Sequence, residues 1–130
     1  MKSQIMVIIK PWSLQHAEEI LNEFDKHGTR IKTSKINKLK LEDLAIIYER
    51  LKQEPYYGPM VADCNNKPAV IALYEGRRTE FDELKDQLRT RFAFDIPPHP
   101  KYQRNAIHTS LNYQEFKKEF SVFKKYLQLS

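Results

Sequence analysis

Near the start of the chain Ile5-Met6-Val7-Ile8-Ile9 forms an apolar run with no polar position inside it. A short, β-branched run of this kind reads as a strand covered on both faces. Pro11 ends it, and Ser13 is placed as the N-cap of a helix in which Leu14, Ala17, Ile20, Leu21 and Phe24 recur at helical spacing. Gly28 takes the left-handed position that commonly follows a helix. Thr29 to Lys40 alternates as a second strand, with Arg30, Lys32 and Ser34 on one face and Ile31 and Thr33 on the other. Ile36 breaks that alternation, so the strand bends or its register differs from this one. Leu41, Leu44, Tyr48 and Leu51 mark an amphipathic helix stopped by Pro55, and Tyr56 to Asp63 forms a further short helical piece.

The third strand runs from Pro68 to Tyr74 and ends at Glu75-Gly76. Thr79 with Asp82 resembles a capping pair for a helix carrying Phe81, Leu84 and Leu88 on one side. Asp95 to Gln103 contains Pro97-Pro98-His99-Pro100 and is a surface loop, because proline denies regular structure its donors. Asn105 to His108 is a short last strand. Asn112 and Glu115 open a final helix whose apolar face is Phe116, Phe120, Phe123 and Leu127. The order β-α-β-α-β-α-β-α suits an α+β fold of the ferredoxin-like split β-α-β kind, a four-stranded antiparallel sheet with helices packed on it.

The chain has 130 residues, enough for a single domain with a real core. Its apolar and charged fractions of 41% and 30% are ordinary for a soluble globular protein. The longest apolar run is strand-sized, well short of the ~20 residues that span a membrane. The run is followed at once by Lys10-Pro11, unlike a signal peptide. Cys64 is the single cysteine, so no intrachain disulfide is expected and a reducing, cytoplasmic setting is the economical reading. The net charge of +5 suits anionic partners such as nucleotides. A nucleic-acid partner is not expected: an RNA-binding sheet of this kind carries paired aromatics on its central strands, and the third strand offers Val70, Ile71, Ala72 and Leu73. His16, His27 and His99 lack the spacing of metal ligands, so no protein-held metal site is expected.

Ile9-Lys10-Pro11 closes the first strand, Tyr48 to Tyr57 reads Y-x-x-L-K-x-x-P-Y-Y, and Asn105-Ala106-Ile107-His108-Thr109-Ser110 precedes the last helix with its Glu119. These motifs resemble those of the nucleoside diphosphate kinases: I-K-P at the end of the first strand, Y-x-x-L-K-x-x-P-F-F, and N-x-I-H-G-S. Met60-Val61 and Pro68 to Gly76 match the family's following helix and third strand, and Glu119 stands where the family has a supporting glutamate.

The resemblance implies transfer of a γ-phosphoryl group between nucleotides through a phosphohistidine on His108, in a homo-oligomer. Imidazole suits that task, since near neutral pH a ring lone pair is free to attack phosphorus. The same resemblance makes Glu119 and Ser110 supports of His108, Lys10 a contact of the moving phosphate and Tyr48 its orienting hydroxyl. Arg89 would hold nucleotide phosphates, Asn105 the sugar, and Tyr56 would stack on the base. Mg2+ would arrive on the phosphates.

Several positions depart from the pattern. The stretch between Gly76 and Arg89 is shorter than in typical members, and the family's other phosphate-binding arginine falls inside it. Lys85, Arg91 and Arg104 are the sequence candidates to replace it. His108-Thr109-Ser110-Leu111 lacks the glycine and aspartate of H-G-S-D, Lys10-Pro11-Trp12-Ser13 departs from K-P-D-G, and the Asp95 to Gln103 loop is longer than usual. A catalytically weak nucleotide-binding or regulatory protein of the same fold is the alternative reading.

Overall fold

The structure is a computed structural model and describes residues 2–128. Its strands are β1 (Ser3–Ile9), β2 (Gly28–Ile36), β3 (Ala69–Gly76) and β4 (Ile107–Thr109). Its α-helices are α1 (Ala17–Asp25), α2 (Leu41–Ile47), α3 (Tyr57–Cys64), α4 (Arg78–Arg91) and α5 (Tyr113–Leu127), with short 3-10 turns at Pro11–His16, Glu49–Leu51 and Ala93–Asp95. The strands lie in the order β2-β3-β1-β4, and every neighbouring pair is antiparallel. This is the expected α+β, ferredoxin-like arrangement.

The two sheet faces divide the core by residue parity. On one face Met6 and Ile8 of β1 and Ile71 and Leu73 of β3 pack with Leu44 of α2, Met60 of α3, and Phe116 and Phe123 of α5. On the other, Ile5, Val7 and Ile9 join Ala72 and Tyr74 against Ile20, Leu21 and Phe24 of α1 and Phe81, Leu84 and Leu88 of α4. The unbroken apolar run of β1 thus serves two cores at once.

Local details differ from the sequence expectations, each for a physical reason. Ser13 caps no helix: it lies inside the 3-10 turn, buried, with a hydroxyl that finds no partner among the described residues. Thr79 does not cap α4, whose N-cap is Arg77. Gly28 is not left-handed; it begins β2, and no glycine has positive φ. Its missing side chain answers to close approach instead, since a Cβ there would stand 2.6 Å from the Glu75 carbonyl oxygen and 2.9 Å from the Phe81 ring. The second strand ends at Ile36 rather than Lys40, and its register shifts between Arg30 and Lys32. The irregularity leaves Ile31 exposed and turns Ile36 into the core, which resolves the broken alternation. The helix drawn from Leu41 to Leu51 is α2 followed by a 3-10 turn. The opening of α5 is nearly as read: Asn112 Oδ1 accepts from the Glu115 amide, while Glu115 Oε1 accepts from the amide of Leu111, one residue earlier than in a standard capping box.

Gly28→Ala should therefore destabilise the protein by about 1–3 kcal/mol, the usual cost of forcing atoms into a filled space. Urea denaturation measures it, and an unchanged midpoint would mean that the β2–β3 edge yields freely to the added methyl.

Candidate active site

The pairing of β4 with β1 sets the position of His108. It lies opposite Ile8, and so on the face covered by α2, α3 and α5. There α5 presents Glu119, which is 2% exposed, and the Nε2–H of His108 donates to Glu119 Oε2 at 2.8 Å. A carboxylate only accepts, so this bond holds the imidazole in the tautomer whose Nδ1 carries a free lone pair. Nδ1 makes no hydrogen bond among the described residues. Glu119 Oε1 is buried without a partner.

Lys10 follows β1 and remains extended, at φ −75° and ψ 159°. Its Nζ donates to Asn105 Oδ1 at 2.9 Å and stands 4.9 Å from the centre of the Tyr48 ring. Burial pulls the Lys10 ammonium down to about 7, and the positive charges of Arg89 and Lys85 add to the effect. Arg89, on α4, donates from Nε and Nη2 to the Ile107 carbonyl at 3.0 and 2.6 Å, and burial lowers its pKa as well. Tyr48 ends α2 with its hydroxyl 3.6 Å from Cys64 Sγ; burial holds that phenol well above its usual value, so it remains protonated.

These groups line one cavity of about 530 Å³. Lys10, Tyr48, Tyr56, Arg89, Asn105 and His108, all expected from the sequence, meet there. Ser110 does not join them. Its hydroxyl accepts from the Met6 amide at 3.0 Å and makes no hydrogen bond to His108 or Glu119, so it supports the histidine through the backbone alone.

The candidates for the missing arginine lie elsewhere. Arg104 is clamped on Asp63 of α3 by two bonds of 2.7 Å and donates a third to the Pro97 carbonyl. Arg91 is paired with Glu19 and Glu23 of α1, and Lys85 with Asp82. The additional cations of the cavity are Arg50 and Lys101. Sequence reasoning missed both. Arg50 lay inside the Tyr48 to Tyr57 motif, and Lys101 sat in a loop recognised only by its prolines. No Asp or Glu lines this cavity, so its charged walls suit an anion.

A sequence profile described as nucleoside diphosphate kinase matches residues 3–127. The chain belongs to the nucleoside diphosphate kinase family. It is similar to the nucleoside diphosphate kinase of Campylobacter fetus subsp. fetus (strain 82-40), at 27% identity over 92% of this chain and 93% of that protein. The corresponding protein of Thermoanaerobacter sp. (strain X514) is 30% identical over 91% of this chain and 93% of its own length. Among solved structures, the Aquifex aeolicus nucleoside diphosphate kinase superposes with a TM-score of 0.71, covering 93% of this chain and 94% of that one at 17% identity, a likeness of fold. Lys10, Tyr48 and His108, which carried the resemblance in the sequence, are among the residues that the fold brings into one cavity.

The low pKa of Lys10 has a consequence for stability. Between about 7 and the ordinary 10.5 the unfolded chain binds the proton that the folded one has released, so stability rises with pH through that window. Below it the ammonium is charged in both states, and its desolvation opposes folding in full. Lys10→Met should consequently stabilise the protein at pH 6 by on the order of a few kcal/mol, with the gain shrinking as pH rises past 7. Denaturation midpoints of both proteins from pH 6 to 10 check this; a gain independent of pH would remove the assignment.

Proposed function

We propose that this protein is an active nucleoside diphosphate kinase that works by ping-pong transfer through a phosphohistidine on His108. The observation that carries the reading is the hydrogen bond from His108 Nε2 to buried Glu119, which leaves Nδ1 as the nucleophile in a cavity walled by cations and by no carboxylate. The names of its relatives point the same way.

A nucleoside triphosphate would enter with its base against Tyr56 and its sugar beside Asn105. The Nδ1 lone pair attacks the γ-phosphorus, the P–N bond forms, and the bond to the bridging oxygen breaks with its electrons leaving on the diphosphate. Glu119 stabilises the positive charge that the ring gains, through the Nε2–H it already holds. Lys10 and Arg89 offset charge on the phosphates, and Lys10 recovers its proton near neutral pH when an anion arrives beside it. In the second half-reaction an oxygen of an acceptor diphosphate attacks the phosphorus and His108 leaves. Magnesium suits the site as a companion of the nucleotide. The cavity wall supplies cations rather than carboxylates, so the metal's ligands would be phosphate oxygens and water, and its part is charge neutralisation. A homo-oligomer in the cytoplasm completes the reading. No helix among the described residues is long and apolar enough to cross a membrane.

Incubation with labelled ATP and Mg2+ tests this directly. Wild type should acquire an acid-labile, base-stable phosphate and pass it to a second nucleoside diphosphate, and His108→Ala should do neither. Exchange surviving in the variant would put the nucleophile elsewhere. Tight nucleotide binding without turnover in wild type would favour the catalytically weak reading.

The cations of the cavity make a second prediction. Lys101→Ala and Arg50→Ala should each lower kcat by at least about tenfold, less than the ~10²–10³ of a fully buried donor because both side chains reach solvent. Arg91→Ala, paired on the opposite face, should leave kcat unchanged. Equal turnover in all of these proteins, measured in a steady-state exchange assay, would leave Lys10 and Arg89 as the only working cations.

A further inference from the structure

The 3-10 turn Glu49–Leu51 meets α5 through two ion pairs of opposite polarity. Arg50 Nε lies 3.3 Å from Glu115 Oε2, and Lys118 Nζ lies 3.4 Å from Glu49 Oε2. Glu115 and Lys118 stand three residues apart on α5 and so share a face, which offers the turn one negative and one positive group. Glu115 is the one acidic partner of Arg50 among the described residues.

Glu115 has a second bond. Its Oε1 accepts from the Leu111 amide at 3.0 Å, three residues after His108. Its side chain is 20% exposed against 65% for that of Arg50, so the carboxylate is the fixed member of the pair and the guanidinium the freer one. Arg50 lines the cavity that contains His108, and it also lines a smaller one of about 20 Å³ whose walls include His108, Glu115 and Glu119. Burial is the main reason that the Arg89 pKa is low, and the positive charge of Arg50 adds to it, as expected of two cations facing one anion site. A long side chain left loose loses rotamer freedom when it meets a ligand, and a tethered one has lost much of it already. A guanidinium carries five donors, so the one turned to Glu115 leaves others for a phosphate.

We propose that Glu115 is a positioning residue that holds Arg50 on the cavity wall, oriented to meet the phosphates of a nucleotide. The inference rests on the reading that this cavity takes nucleotides. Because the same carboxylate holds the Leu111 amide, the cation is set relative to the segment that begins with His108. A carboxylate so placed also repels the phosphates. Positioning requires that the orienting effect outweigh the repulsion, and this fixes the sign of the test.

The test is calorimetric titration with ADP of wild type, Glu115→Gln, Arg50→Ala and the double variant. Glutamine has one acceptor oxygen, which the Leu111 amide takes, so the helix start is kept while the group facing Arg50 becomes an amide NH2. Glu115→Gln should weaken ADP by about threefold, the scale of a partly exposed ion pair, and should weaken it no further in the Arg50→Ala background. Tighter binding in Glu115→Gln would make the carboxylate a repelling charge only. An equal loss in both backgrounds would assign the effect to the start of α5 rather than to Arg50, and unchanged affinity would leave the pair idle; each of these three results overturns the proposal. The reading beneath it fails differently, with wild type binding no ADP at all.

Discussion

The arrangement depends on the pairing of a three-residue strand, β4, with the centre of the sheet. Val7 faces Thr109, Ile8 faces His108 and Ile9 faces Ile107. A slip of one residue would turn His108 toward α1 and α4, away from Glu119 and out of the cavity. So short a strand cannot hold its register by its own ladder, and other bonds do it. The Lys10 amide donates to the Ala106 carbonyl at 3.0 Å at one end, and the Ser110 amide to the Met6 carbonyl at 3.1 Å at the other. Ser110 Oγ accepts from the Met6 amide in return, Arg89 grips the Ile107 carbonyl with two donors, and the Trp12 indole donates to the Asn105 carbonyl at 2.7 Å. Ser110 and Arg89 hold the strand that aims the histidine.

The cavity set by that register is poor in compensating charge. Lys10 and Arg89 are drawn from water with no carboxylate on the wall, and both have lowered pKa values, mainly from burial. Such a site is less stable empty than a neutral one would be, and an incoming phosphate reverses the sign of the interaction. The cost is borne by two cores on opposite sides of one sheet, joined through β1. Glu119 is the exception among the charges: it stands behind the histidine, with one oxygen bonded to the ring and the other unpartnered.

What could be read from the sequence followed from periodicity and motif. The run from Ile5 to Ile9 has to be a strand with two covered faces, and the apolar stripe of α5 fixes which side of the helix carries Glu119. The irregularity in β2 could be inferred only as a conflict, because Ile36 falls on the wrong parity without saying where the extra residue sits. Gly28 and Ser13 were misread as local signals. The one answers to the Glu75 carbonyl and the Phe81 ring, and the other to burial within a 3-10 turn, neither of which is written in neighbouring residues. Ser110 was assigned by motif to the histidine, whereas its hydroxyl is taken by a strand a hundred residues earlier. Arg104 looked free in a basic, proline-rich stretch; Asp63, distant in sequence and adjacent in space, claims it.

The loop before β4 brings Lys101, Tyr102 and Gln103 to the cavity that holds His108. A loop is a poor scaffold unless its entropy is already spent, and here the Asp63 clasp on α3 does that. Residues tied to α3 form one wall of the cavity, while β1, β4, α4 and α5 hold the lysine, arginine, histidine and glutamate. The two parts meet at Asn105, which directly follows Arg104 in the chain and whose side chain accepts from Lys10 at 2.9 Å.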